Sequence, residues 1–114
     1  ISVLRLDAAG AELDRTSVNI AAGTTDRGNA VVVNEATGDV YVAGFTSQNN
    51  DFVVLRLSAA LDTLATQTPT FGGQDEAFGV ALDGTGRVFV VGSAQNTDFA
   101  VARYDADLNG EVLE

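Results

Sequence analysis

An arginine set inside an apolar run recurs three times in this chain, at Arg5, Arg56 and Arg103. Its surroundings recur with it, as Ile1-Ser-Val-Leu-Arg-Leu6, Phe52-Val-Val-Leu-Arg-Leu57 and Phe99-Ala-Val-Ala-Arg-Tyr104, at spacings of 51 and 47 residues. Gly38-Asp-Val-Tyr-Val-Ala-Gly44 is answered 48 residues later by Gly86-Arg-Val-Phe-Val-Val-Gly92. Gly23-Thr-Thr-Asp26 is answered 49 residues later by Gly72-Gly-Gln-Asp75, and Asn50-Asp-Phe52 by Thr97-Asp-Phe99. Several independent anchors at nearly one period mean that one supersecondary unit is used repeatedly.

Each period carries four strand-like runs. Ala30–Asn34 and Phe78–Asp83 are copies of the first, and Val40–Phe45 and Val88–Ser93 of the second. Ile1–Leu6, Phe52–Leu57 and Phe99–Tyr104 are copies of the third. Arg15–Ile20 and Leu64–Phe71 are copies of the fourth. Between them stand hairpin connections, Glu35-Ala-Thr-Gly38 and Asp83-Gly-Thr-Gly86, and short polar loops, Ser47–Asp51 and Gln95–Asp98. The second run is continuously apolar in both copies, which predicts burial on both faces. The fourth alternates over Thr16–Ile20 and is polar over Thr66–Thr70, where Pro69 lacks the N–H of a central strand and belongs at an edge. A sheet buried on both faces, with one polar outer strand, fits a β-propeller blade packed between two others. A sandwich would show alternation throughout, and a solenoid shorter and more regular coils. The expected fold class is therefore all-β, with four-stranded antiparallel blades in about two and a half repeats. The expected divisions are a half blade over 1–20, a blade over 21–71 and a blade over 72–114.

Composition narrows the function classes. The chain has 114 residues, of which 46% are apolar, enough for a core. No apolar run approaches a membrane span of roughly 18 residues. Without methionine, residue 1 does not read as a translation start, so the chain reads as a mature product, an excised fragment or part of something longer. Cysteine, histidine and lysine are absent, which removes disulfides and the commonest general base and transition-metal ligand. A net charge of −10 repels nucleic acid and anionic lipid. It favours solubility, and an Asp-rich surface without lysine also suits concentrated salt.

The motifs Gly72-Gly-Gln-Asp-Glu-Ala77, Val80-Ala-Leu-Asp-Gly84, Gly86–Gly92 and Asp98-Phe-Ala-Val-Ala-Arg-Tyr104 resemble bacterial β-propeller repeats of the SBBP and delta-sixty type. The earlier copy is looser, with Asp26-Arg-Gly28 in place of Asp-Glu-Ala and one extra turn residue in Asn34–Gly38. The resemblance implies extracellular or cell-surface bacterial proteins whose propellers act as binding or spacing modules. It brings no active site.

Four groups of residues are candidates for a site. Asp26, Asp75 and Glu76 recur at the start of the first strand. They form either a ring of carboxylates for a cation or sugar, or structural partners for the arginines and turn N–H groups; repetition favours the structural role. Arg5, Arg56 and Arg103 are expected to be part-buried and paired with carboxylates, Asp75 or Glu76 for Arg56, rather than to bind an anion. Thr46-Ser-Gln-Asn-Asn50 and Ser93-Ala-Gln-Asn-Thr97 line equivalent loops that suit glycan or peptide recognition, or are polar because they are wet. Asp105, Asp107 and Asn109 begin like a calcium loop, with Gly110 at its sixth position, but the closing acid lies beyond Glu114, and Asp7–Gly10 and Ser58–Ala60 lack the ligands. A plain hairpin turn is the favoured reading there. Tyr41, Phe45 and Phe89 read as core rather than a sugar platform.

No catalytic constellation is evident. Ser and Thr have no His or Lys partner, and no carboxylate stands in an apolar pocket. The sequence thus reads as a non-catalytic scaffold or recognition unit, with no cofactor and no metal assigned. The alternative is a fragment of a carbohydrate-active propeller enzyme whose active residues lie elsewhere. A propeller closes a ring of about four to eight blades. The expected partners are therefore other copies of the same blades, from the rest of the polypeptide or from identical chains, with no nucleic acid and no membrane insertion.

Overall fold

The computed structural model describes residues 1–95 and 98–113. It is all-β, with every sheet antiparallel and no helix among the described residues. A two-stranded hairpin comes first, β1 (Ser2–Leu6) and β2 (Glu12–Ser17). A middle sheet follows, in the order β3 (Asp26–Val33), β4 (Val40–Thr46), β5 (Asp51–Leu57) and β6 (Thr63–Gln67). The last sheet runs β7 (Glu76–Leu82), β8 (Val88–Ala94), β9 (Asp98–Tyr104) and β10 (Gly110–Leu113), again in chain order. Each sheet is a meander of short connections, so strand neighbours in sequence are neighbours in space.

The three layers stack face to face. One face of the middle sheet, bearing Val40, Val42, Val53, Leu55 and Leu57, packs against Ile1 and Val3 of the hairpin and Val18 and Ile20 beyond it. The opposite face, bearing Tyr41, Ala43, Phe52 and Val54, packs against Ala77, Val88, Val90, Ala100 and Ala102 of the last sheet. Every residue of β4 is therefore buried, and its sequence is apolar on both faces for that reason. Phe52 and Phe71 meet in the second interface with ring centroids 5.1 Å apart, tilted by 56°.

The last sheet departs from the expectation of two buried faces. Val88 and Val90 are buried against the middle sheet, but Phe89 is half-buried and Val91 exposed. Among the described residues nothing covers that outer face, where Phe78, Val91 and Phe99 stay exposed.

The fourth strand is also shorter than expected. β6 ends at Gln67, so Pro69 lies beyond it and takes no part in a ladder. β6 is nevertheless at the sheet edge. In the same way β2 ends at Ser17, leaving Val18 and Ile20 in the connection that packs on the middle sheet.

Two devices recur with the period. β3 and β7 each carry a bulge, between Gly28 and Ala30 and between Ala77 and Gly79. The bulged backbone presses on Gly44 and Gly92, where an added Cβ would overlap the carbonyl oxygens of Arg27 and Glu76 respectively. Only glycine admits that approach. The second device is the turn after the third strand. Asp7 Oδ1 accepts the Ala9 and Ala11 N–H groups, Ser58 Oγ those of Ala60 and Asp62, and Asp105 Oδ1 those of Asp107 and Asn109. The third residue after each of these has positive φ: Gly10 at 86°, Leu61 at 65° and Leu108 at 62°. The two leucines hold this unfavourable conformation because their side chains are buried in the two cores.

Candidate functional site

The repeated acids are built into the scaffold. Asp75 is fully buried; its Oδ2 accepts the Phe71 N–H at 2.7 Å and its Oδ1 the Gln95 N–H at 2.9 Å. Asp26 does the equivalent work one repeat earlier, accepting from the Ile20 N–H at 2.9 Å and the Thr46 hydroxyl at 2.7 Å, with Thr24 adding its own hydroxyl. Burial pushes the Asp26 pKa up, but these hydrogen bonds outweigh it and hold the carboxyl below its ordinary value. Each acid thus ties the segment after a fourth strand to the end of the second strand in the next sheet. Glu76 is not part of this clamp: it accepts from Asn29 at 3.0 Å and lies 3.7 Å from Arg27, bridging the two sheets.

The expected pairing of Arg56 with Asp75 or Glu76 does not occur. Its guanidinium pairs instead with Asp39 at 2.8 Å and with Asp107 at 2.7 Å. Asp75 is out of reach, since its N–H donates to the Asn50 carbonyl just before β5 begins, whereas Arg56 stands near that strand's other end. Asp39 ends the turn before β4, and Tyr41, two residues on, faces Arg56 across the β4–β5 ladder. Asp107 belongs to the next sheet's turn, so Arg56 ties the two sheets together. Tyr41 reinforces the tie, its hydroxyl donating to the Ala106 carbonyl at 2.7 Å. The Asp39 hydrogen bond leads in raising the Arg56 pKa above its ordinary value. Arg5 repeats the reach, donating to the Ala59 carbonyl of the middle sheet at 2.7 Å. Arg103 is half-buried on the outer face of the last sheet.

In the turn considered for calcium, Asp105 Oδ1 serves two backbone N–H groups and Asp107 is paired with Arg56. Ser58 builds the same turn with a hydroxyl, so the geometry needs no ion. Among the described residues no group of three metal-binding side chains comes together. The loop of Ser47, Gln48, Asn49 and Asn50 is exposed, as is Gln95. Asn96 and Thr97, the rest of the second such loop, lie outside the described residues. Tyr41 and Phe45 are core, and Arg27 stacks 4.9 Å over the Phe45 ring.

Much of the exposed apolar surface among the described residues lies at the two ends of the stack. Positions can be matched through the repeat. Phe52 is 0% exposed, whereas Phe99 in the same place is 74% exposed. Leu55 and Leu57 are fully buried, whereas Leu4 and Leu6 are 49% and 54% exposed. Phe78 and Val91 join Phe99 on the outer face of the last sheet, around a shallow depression of about 370 Å³. Three neighbouring large apolar side chains form a contiguous exposed patch rather than scattered exposure. The sequence showed that these positions are equivalent; it did not show which copies are covered.

Comparison with known proteins adds no identity: no protein-family model matches the chain, and no curated protein does.

Proposed function

We propose that the chain is a non-catalytic scaffold and assembly module in which each four-stranded sheet is one β-propeller blade. The partners are other copies of the same blades, recognised through the end faces. Four-stranded meanders stacked face to face support this reading, as do bulges, turns and clamps that recur with the period. The resemblance to bacterial repeats of the SBBP and delta-sixty type points the same way, and with it to a bacterial surface or secreted protein.

The observation that carries the proposal is the contrast between Phe52 and Phe99. The face that holds Phe52 is covered by the next sheet, and the face that holds Phe99 has the same chemistry with no cover among the described residues. A surface whose internal copy packs against a blade is suited to pack against a blade. Because the two end faces differ, the contact is head to tail, which builds rings or filaments according to whether the rotation closes.

Sedimentation velocity over a concentration series, from about 1 to 100 µM, tests this. The expected result is concentration-dependent association. A single monomeric species throughout would contradict it.

A further inference from the structure

A groove of about 570 Å³ separates β1 from β3 and β4, lined by Ile1, Val3, Val31, Val33, Val40 and Leu61 among others. β1 is paired with β2 on one side only, so its other edge presents unpaired backbone groups beside this groove. In the middle sheet the corresponding edge of β5 is taken by β4, with β3 beyond it. The floor of the groove tells the same story. Val31 and Val33 stand opposite Val42 and Val40, as Val80 and Leu82 stand opposite Val90 and Val88. Val80 and Leu82 are packed into a core, in a sheet whose β7 lies against β3 and β4. Val31 and Val33 are 60% and 49% exposed.

We propose that this groove is the seat of a β-hairpin of the β3–β4 pattern, which pairs with the free edge of β1 and covers Val31 and Val33. The inference rests on the stacked-repeat reading and names the partner of one of its surfaces. The ladder specifies the chemistry of the occupant. Tyr41 and Phe89 stand opposite Arg56 and Arg103, so an aromatic residue lies opposite Arg5. Ala43 and Val91 stand opposite Val54 and Val101, so a small or β-branched residue lies opposite Val3. Gly44 and Gly92 stand opposite Val53 and Ala100, so a glycine lies opposite Ser2, where the bulged first strand of the hairpin presses in. The partner is thus a hairpin whose second strand reads aromatic, any residue, Ala or Val, Gly, as Tyr41-Val-Ala-Gly44 and Phe89-Val-Val-Gly92 do. Recognition is strand addition: backbone hydrogen bonds supply affinity, and the alternate side chains supply selectivity.

The test lengthens the full chain at its amino terminus with a second copy of residues 21–51 joined directly to Ile1, since Ile1 holds the place of Phe52. Amide hydrogen exchange of Ser2–Leu6 and thermal unfolding are the readouts. The seated hairpin slows exchange at the edge-facing amides of β1 by at least about tenfold and raises the melting temperature. A control extension carries Tyr41→Asp and Ala43→Asp in the added copy only, and it leaves β1 unprotected. Unchanged exchange in the first extension, or equal protection by the charged one, overturns the proposal. Head-to-tail self-association uses the outward faces that carry Phe99 and Leu4, not the free edge of β1. Failure of the hairpin with association intact sinks this inference alone, and loss of association with a seated hairpin sinks the assembly reading alone.

Discussion

Phe52 and Phe99 hold the same place in successive repeats, one buried against Phe71 and the next sheet, the other facing water. The two positions therefore separate folding from assembly. Phe52→Ala opens a cavity in the larger core and is expected to cost about 3–5 kcal/mol of stability. Phe99→Ser is expected to leave stability within about 0.5 kcal/mol, as exposed substitutions do, while weakening self-association. Urea unfolding of the two variants at low concentration checks the contrast.

Arg56 is expected to matter more than Asp107, one of the two acids it pairs with. Asp39 is nearly buried, with 13% of its side chain exposed, and Asp107 is mostly exposed, at 69%. Arg56→Ala leaves the Asp39 charge without its cation in a poorly hydrated place. A fully buried pair broken this way costs several kcal/mol, and the partial exposure here reduces that to about 1–3 kcal/mol. Asp107→Ala removes only an exposed partner, so the expected loss is below about 1 kcal/mol. Denaturant midpoints of the two single variants decide the order.

Gly44 and Gly92 are intolerant of any side chain. Gly92→Ala is expected to destabilise by more than about 2 kcal/mol, because the new methyl overlaps the Glu76 carbonyl and the bulge must move. Gly84→Ala, with nothing within 4 Å of the added atom, is the matched control and is expected to be near neutral.

Stability is expected to fall at both extremes of pH for separate reasons. Burial raises the Tyr104 pKa to about 12 from an ordinary value of 10.0. A neutral form favoured by folding contributes fully below pH 10, and that contribution is lost as pH rises through 12. Tyr104→Phe should flatten this alkaline decline. Asp26 works in the opposite sense. Its lowered pKa gives stability that is present above the ordinary carboxylate value and lost as pH falls through the folded one. Asp26→Asn should flatten part of the acid decline. Thermal melts across the two pH ranges provide the check.

The strands and their order were legible because the apolar runs and turn residues repeat. The second and third runs became strands within a residue of their expected bounds, whereas β3 begins four residues before Ala30, and β2 and β6 end before Ile20 and Phe71. The edge position of β6 was reached for a partly mistaken reason, since Pro69 lies past the strand. The arginine pairing was misassigned because sequence period shows which positions are equivalent but not which sheets face each other. Arg56 reaches across an interface to a turn 51 residues on, and the Asp39 position is occupied by Arg87 in the next copy. Gly44 and Gly92 stood in plain view at the ends of the repeated motif. Their shared period was the available signal for a close backbone approach. The exposed faces had no signal of their own, because Phe99 is written in the sequence just as Phe52 is.

Energy transfer between labelled chains tests the head-to-tail contact most directly. The chain has no cysteine, so Ala9→Cys and Asn109→Cys each give a single label on an exposed turn. In a head-to-tail stack the Ala9 turn of one chain follows the Asn109 turn of the next as the Ser58–Asp62 turn follows the Asp7–Ala11 turn within a chain, one sheet spacing of roughly 10 Å away. A head-to-tail contact is expected to give strong transfer from a donor at Ala9 to an acceptor at Asn109 of another chain. With a dye pair whose characteristic distance lies between one and three sheet spacings, transfer between two chains both labelled at Ala9 is expected to be much weaker, because like labels stand three sheets apart, and both signals rise with concentration in step with sedimentation. Stronger transfer between like labels, or none at concentrations where the chains associate, would contradict it.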